Sequence, residues 1–309
     1  MNKFSRIFPF ALLLNILWLQ SCDWKRISGL EDNTSDSVDA PSYCTVEYVD
    51  SINSLEATAY QDIKADFPAD NDSSEVAQSV LTWLCQEIRQ RCVADFNDEP
   101  IDSTFKVSGE KELFGEDVVT TYGKKGLQKM EEEVRQLAED GYAGGYSNNL
   151  TIALEEQQNE YLTFTLEHDV YLGGAHGSQY HEGKSFRRQD GKIFSWEMFH
   201  KSKTDELRAL LKNGLIAFFN QYEENVITTD SALYEHLILI DDPDTPENEL
   251  SYGLPLPTTQ PWITREGIAF IYQEYEITAY AYGRPFIVLP FSAIKDCLTE
   301  DGLTFIPAE

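Results

Sequence analysis

The sequence is poor in positive charge. Its 309 residues hold 24 Lys+Arg against 53 Asp+Glu, a formal net charge of −29. A nucleic-acid binder needs a surplus of Lys and Arg to meet phosphates, so that class is excluded. Cysteine and histidine are scarce, at five each, and no CxxC or Cys/His cluster with zinc spacing occurs. There is no G-x-S-x-G elbow, and Gly123-Lys124-Lys125-Gly126 lacks the glycine and Ser/Thr spacing of a P-loop. No stretch reaches the roughly 20 apolar residues of a membrane-spanning helix. Aromatic residues, at 12%, are plentiful, which argues against global disorder. Carboxylate pairs of glycosidase type could be chosen anywhere among so many acids and carry no information.

The N-terminus is organised for export. Lys3 and Arg6 precede an apolar stretch, residues 8–19, interrupted by Pro9 and Asn15. Leu19-Gln20-Ser21-Cys22 then resembles the bacterial lipobox. That resemblance implies lipidation of Cys22 and removal of residues 1–21, leaving 22 Lys+Arg against 53 Asp+Glu. Each buried CH₂ of the acyl chains contributes about 0.8 kcal/mol to anchoring. The expected location is the bacterial cell envelope, periplasmic or surface-exposed, with the lipid as the membrane attachment. Cys44, Cys85, Cys92 and Cys297 remain as disulfide candidates or buried thiols. On one helix Cys85 and Cys92 would lie about 10 Å apart, beyond the roughly 7 Å reach of a disulfide, so pairing would join Cys44 to one and Cys297 to the other.

Residues 22–42 read as a flexible tether. Beyond them strands and helices mix without a strict βαβ rhythm. Asp72-Ser73-Ser74-Glu75 has capping-box spacing, and Val76, Val80, Leu84 and Ile88 predict a helix over 73–93. Leu127, Met130, Val134 and Leu137 mark a second, stopped at Gly141, and Leu207, Leu211 and Leu215 a third over 203–221, entered through Ser202 or Thr204. Alternation predicts strands around 43–59, 150–154, 162–170, 267–278 and 284–290, and 292–298 reads as a short closing helix. The fold class is α+β, with mainly antiparallel sheets, packed helices and two closely associated domains, 43–160 and 161–309.

One order of motifs carries a family signal. Tyr171-Leu172-Gly173-Gly174-Ala175-His176 follows a strand, with Asp190-Gly191-Lys192 and Trp196-Glu197-Met198-Phe199 shortly after. Then come Gly267-Ile268-Ala269-Phe270, Tyr275-Glu276-Ile277, Ala281-Tyr282-Gly283 and Val288-Leu289-Pro290-Phe291. This order resembles the C-terminal domain shared by RsiV-type anti-sigma-factor ectodomains and PdaC-type peptidoglycan deacetylases, over roughly 165–300. The family's last turn is Tyr-x-x-Gly; here Tyr282 directly precedes Gly283, and Tyr280 has the wider spacing. The resemblance implies an extracytoplasmic, non-catalytic domain, which in RsiV-type proteins recognises lysozyme and in the deacetylases accompanies a separate catalytic domain.

Candidate binding residues are Gly173, Gly174, Ala175 and His176 in the turn, and Tyr275 and Tyr282 in the aromatic-rich stretch that also holds Tyr272, Tyr280 and Phe286. Two glycines free the backbone for positive φ, and an imidazole can hydrogen-bond a ligand or pin the loop. His168, His176 and His181 lie close in sequence but match no metal signature. Asp241, Asp242, Asp244, Glu247 and Glu249 form an acidic loop in which Pro243 and Pro246 replace the central glycine of an EF-hand. No catalytic residue, metal or cofactor is expected. The expected function is a lipid-anchored envelope binding protein that recognises a basic protein such as lysozyme, or a cell-wall component. The alternatives are an envelope hydrolase using His176 as acid or base on glycan or peptide, and an assembly scaffold.

Overall fold

The computed structural model describes residues 43–53, 57–92, 115–141, 144–221, 226–237 and 254–307. Cys22, the tether and the acidic loop 241–249 lie outside them. Among the described residues no helix is long and apolar enough to cross a membrane.

β1 (Tyr43–Asn53) and β2 (Ala57–Pro68) form an antiparallel hairpin. Every second residue of β2 from Ala59 through Gln61, Ile63 and Ala65 to Phe67 is buried, so one face looks inward. α1 (Glu75–Cys92) and α2 (Glu116–Glu139) cover that face. Val76, Val80, Leu84 and Ile88 are all buried, as their spacing predicts. The cap of α1 is Ser74 rather than Asp72. The Ser74 hydroxyl accepts from Ala77 N at 3.2 Å, and Asp72 accepts from Ser74 N at 2.9 Å. α2 starts well before Leu127, with Val118, Val119 and Tyr122 buried in its first turns, whereas Leu137 at the far end is 37% exposed rather than core.

β3 (Gly144–Gln157) runs parallel to β2, and α1 and α2 together supply the crossover that a parallel pair requires. β4 (Tyr161–Tyr171) and β5 (Ser178–Arg187) add antiparallel neighbours, giving the order β1-β2-β3-β4-β5. The position dividing the chain into 43–160 and 161–309 falls in the β3–β4 turn, and the sheet continues across it. Between sheet and helices the core centres on Phe164, whose ring meets Trp83 and Tyr43 at 5.7 Å and Phe186 at 6.0 Å, edge to face.

The remaining chain builds a second layer. α3 (Thr204–Phe219) is capped at Lys203 without a side-chain bond, not through Ser202 or Thr204. After the short α4 (Asp230–Tyr234) come β6 (Trp262–Thr264), β7 (Gly267–Ile271) and β8 (Phe286–Leu289), then α5 (Phe291–Ile294) and α6 (Glu300–Leu303). β6-β7-β8 is an antiparallel sheet. Leu207, Leu211, Leu215 and Phe219 of α3 share a core with Ile268 and Phe270 of β7 and Ile287 of β8. β7 ends at Ile271, short of the expected 278, because the chain turns at 273–276.

The outer face of β4–β5 receives the small sheet. Thr163 Oγ1 donates to Ile263 O at 2.8 Å, and Ile263 N donates to Ser185 Oγ at 2.8 Å. Trp262 lies against Gly183. The architecture is therefore α+β with two sheets and packed helices, and β2–β3 is the one parallel pair among the described strands.

Candidate functional site

The β4–β5 turn and the loop between β7 and β8 meet at the surface. Gly173 and Gly174 both adopt left-handed conformations, φ 87° and 92°, which explains the two glycines. The Tyr171 hydroxyl donates to Gly174 O at 3.0 Å and steadies the bend. Ala175 and His176 are exposed beyond it. His176 Nδ1 lies 2.8 Å from Gly177 O, so it carries the proton and leaves Nε2 as an acceptor. The Tyr275 hydroxyl occupies that position at 3.3 Å.

Tyr280 completes the cluster. Its ring stacks on His176 with centroids 4.2 Å apart, and Tyr275 lies 5.7 Å from Tyr280 at 28°. Tyr275 is 51% exposed and has φ 61°, the one non-glycine residue with positive φ among those described. A left-handed conformation costs an L-residue roughly 1–2 kcal/mol. The surrounding contacts hold this strain at an exposed aromatic side chain. Acidic groups lie at the base: Glu274 accepts from Gln179 N at 3.2 Å, and Asp169 pairs across from Gln179 in the sheet. The cluster presents ring faces, a phenol and an imidazole to solvent. Among the described residues the hydrogen-bond partners of His176 are Gly177 O and Tyr275 Oη; neither is a carboxylate or a serine.

The structure brings together His176 and Tyr275 but places Tyr282 elsewhere. Tyr282 packs edge-on against Phe219 at 5.4 Å, and its hydroxyl lies 3.3 Å from His236 Nδ1. The tyrosine that joins the cluster is Tyr280, the one with the Tyr-x-x-Gly spacing.

The other histidines have separate surroundings. His168 is buried between sheet and helices, where its Nε2 lies 2.7 Å from Asn148 Oδ1. Asn148 also donates to Arg91 O at 2.8 Å and to Gln61 Oε1 at 3.3 Å, which ties the end of α1 to β2, β3 and β4. Burial first, and the Arg91 charge second, push His168 down to about 3. Next to this network, Glu87 accepts from Trp83 Nε1 at 3.1 Å and Glu182 accepts from the Tyr180 hydroxyl at 3.1 Å. Burial, then the neighbouring Glu182 charge, raise the Glu87 carboxyl, with Arg91 opposing. The sequence signal for this network was the inward parity of Asn148 with Leu150 and Ile152. His181 lies on the opposite face of the sheet, edge-on to Trp262 at 5.8 Å, and burial followed by Arg284 lowers it to about 4. Among the described residues no three His, Cys, Asp or Glu side chains gather as a metal site.

Of the two forms left open for the cysteines, the thiol is the one found: Cys44, Cys85, Cys92 and Cys297 form no disulfide with one another. Cys44 is exposed on the edge strand β1, whereas Cys92 and Cys297 are buried in the two different cores.

The fold and this surface thus define an α+β protein whose two layers meet in an exposed aromatic cluster. A family model described as a protein of unknown function (DUF3298) matches residues 239–292. The match includes β6, β7, β8 and the loop bearing Tyr275 and Tyr280, but not the Gly173-Gly174 turn. Among solved structures, a DUF3298 family member from Bacteroides fragilis superposes with a TM-score of 0.64 at 18% identity, over 86% of this chain and 96% of that one. A DUF3298 family protein from Pseudomonas aeruginosa gives 0.53 at 14% identity, over 88% and 99%. These likenesses establish a shared fold. A search of curated proteins gives no match.

Proposed function

We propose that this chain is a lipid-anchored envelope protein, an RsiV-like binding module without catalysis, and that the His176–Tyr275–Tyr280 cluster is its contact surface. The observation that carries this reading is Tyr275, exposed and held at positive φ against the two other rings. Tyrosine gives large contact area with a polar tip and is enriched among residues that dominate binding energy. The partner is a basic protein of lysozyme type. A chain with 53 Asp+Glu against 24 Lys+Arg attracts such a partner, and Glu274 and Asp169 put negative charge at the base of the cluster. Engagement of both His176 nitrogens by Gly177 O and Tyr275 Oη speaks against the hydrolase alternative.

The test is biolayer interferometry of the full chain in detergent micelles against hen lysozyme. Binding should weaken as salt rises, and Tyr275→Ala should reduce affinity about 30-fold, the scale of a dominant interface residue. No binding at low salt, or equal binding by Tyr275→Ala, overturns the proposal.

A further inference from the structure

We infer that Glu276 is a positioning residue which forms the aromatic cluster before any partner arrives; this rests on reading that cluster as the contact surface. Glu276 does not reach the rings through its hydrogen bonds. Its Oε2 accepts from Gln273 N at 2.7 Å and its Oε1 accepts from Thr258 N at 2.6 Å. Both are short, charge-assisted bonds to backbone amides. They close the 273–276 turn around Tyr275, whose own φ of 61° works against that closure.

The turn is then gripped by the sheet. Gln273 Nε2 donates to His181 O at 2.6 Å, and His181 N donates back to Gln273 Oε1 at 3.3 Å. The Gln273 amide thus mimics a neighbouring strand on the free edge of β5. Glu274 continues the edge by accepting from Gln179 N. β5 leads straight out of the turn that carries His176. A continuous set of contacts therefore runs from Glu276 to Gln273, to the β5 edge, to His176, and Tyr275 meets His176 only when that set is complete. A carboxylate suits the task because it is acceptor-only and satisfies two amides at once.

The experiment is amide hydrogen exchange on the full chain in micelles, without any partner. The reporters are the amides of Gln179 and His181, which Glu276 does not touch. Glu276→Ala should speed their exchange about 5- to 30-fold, the population shift that corresponds to the left-handed penalty. The amide of Ile268, in the middle strand of the small sheet, should not change. Adding Tyr275→Gly to Glu276→Ala should restore slow exchange, because glycine holds the turn without strain. Unchanged exchange at Gln179 and His181, or no restoration by glycine, overturns the inference. If Glu276→Ala fails to fold, Glu276→Gln, which keeps one acceptor, decides by the same measurement with a smaller acceleration. Saturating hen lysozyme should bring the exchange of Gln179 and His181 in Glu276→Ala back toward the parent rate, because a partner that binds only the formed cluster stabilises it. Faster exchange that saturating lysozyme fails to slow retires the contact surface and leaves the positioning role standing.

Discussion

Gly183 separates the two layers of this molecule by the thickness of one missing methyl group, which makes Gly183→Ala a direct probe of their contact. Gly183 lies on β5 with its open side toward the small sheet. A Cβ there would fall closer than 3.0 Å to three atoms of the Trp262 indole, where ordinary contact is 3.4–4 Å. The ring cannot swing away freely. Its strand is bonded to β7 through the Trp262↔Ala269 pair, and the side chain is 1% exposed. Overpacking of this kind costs about 1–3 kcal/mol. If the sheets part instead, the Thr163 and Ser185 bonds to Ile263 go with them, at about 1 kcal/mol each. By either route the expected destabilisation is about 1–3 kcal/mol. Urea unfolding followed by tryptophan fluorescence measures it. Trp262→Leu should relieve the clash, so the double variant should be at least about 1 kcal/mol more stable than the sum of the single effects. A Gly183→Ala protein within about 0.5 kcal/mol of the parent, or strict additivity, refutes this account of the contact. The alanine variant should also loosen the surface cluster, since parting the layers separates His176 from Tyr275.

Acid sensitivity and thiol reactivity give two further tests. His168 and His181 are held at about 3 and about 4 against an unfolded value of 6.5, so the unfolded chain binds more protons below pH 6.5. Their contribution is complete above that pH and declines as pH falls, by about 1.4 kcal/mol per unit for each histidine, until each folded value is reached. His181→Gln should flatten the pH dependence of urea midpoints between pH 6 and pH 4; an unchanged slope contradicts the assignment. The raised Glu87 carboxyl works in the opposite sense, with its contribution complete below the unfolded pKa and lost as pH rises through the folded one. Iodoacetamide labelling of the native protein, mapped by mass spectrometry, should modify Cys44 and spare Cys92 and Cys297 until urea is added; protection of Cys44 equal to that of Cys92 contradicts the free, exposed thiol.

Much of the fold was legible where period and burial coincide. α1 was readable because Val76, Val80, Leu84 and Ile88 all face one core, and β3–β4 because alternation brackets a polar turn at 157–160. The start of α2 was hidden because Gly123, Lys124, Lys125 and Gly126 interrupt its apolar series, although Gly123 and Gly126 are buried. β6 was missed because three residues after a proline carry no period. β7 was overextended because as the middle strand it is buried on both faces, and Tyr272 continues that pattern past the last residue of the strand. At the surface site the Gly-Gly turn was readable from composition, but its partner was not. His176 and Tyr275 are 99 positions apart, and such a meeting depends on how two sheets stack. Tyr280, which stacks on His176, and Tyr282, which does not, stand two residues apart. In a 3₁₀ turn successive side chains diverge by about 120°, so Tyr280 faces His176 while Tyr282 turns to Phe219.

The capped edge of β5 also bears on how this sheet can grow. At residues 179, 181, 185 and 187 its outward backbone groups are taken by Glu274, Gln273, Phe194 and Lys192. In the language of polymer chemistry the sheet, among the described residues, is a chain with one terminated end, β5, and one living end, β1. Two copies joined edge to edge through β1 would make a ten-stranded unit with both ends terminated, and a third could not add. Growth along this route thereby stops at pairs, without open-ended strand addition.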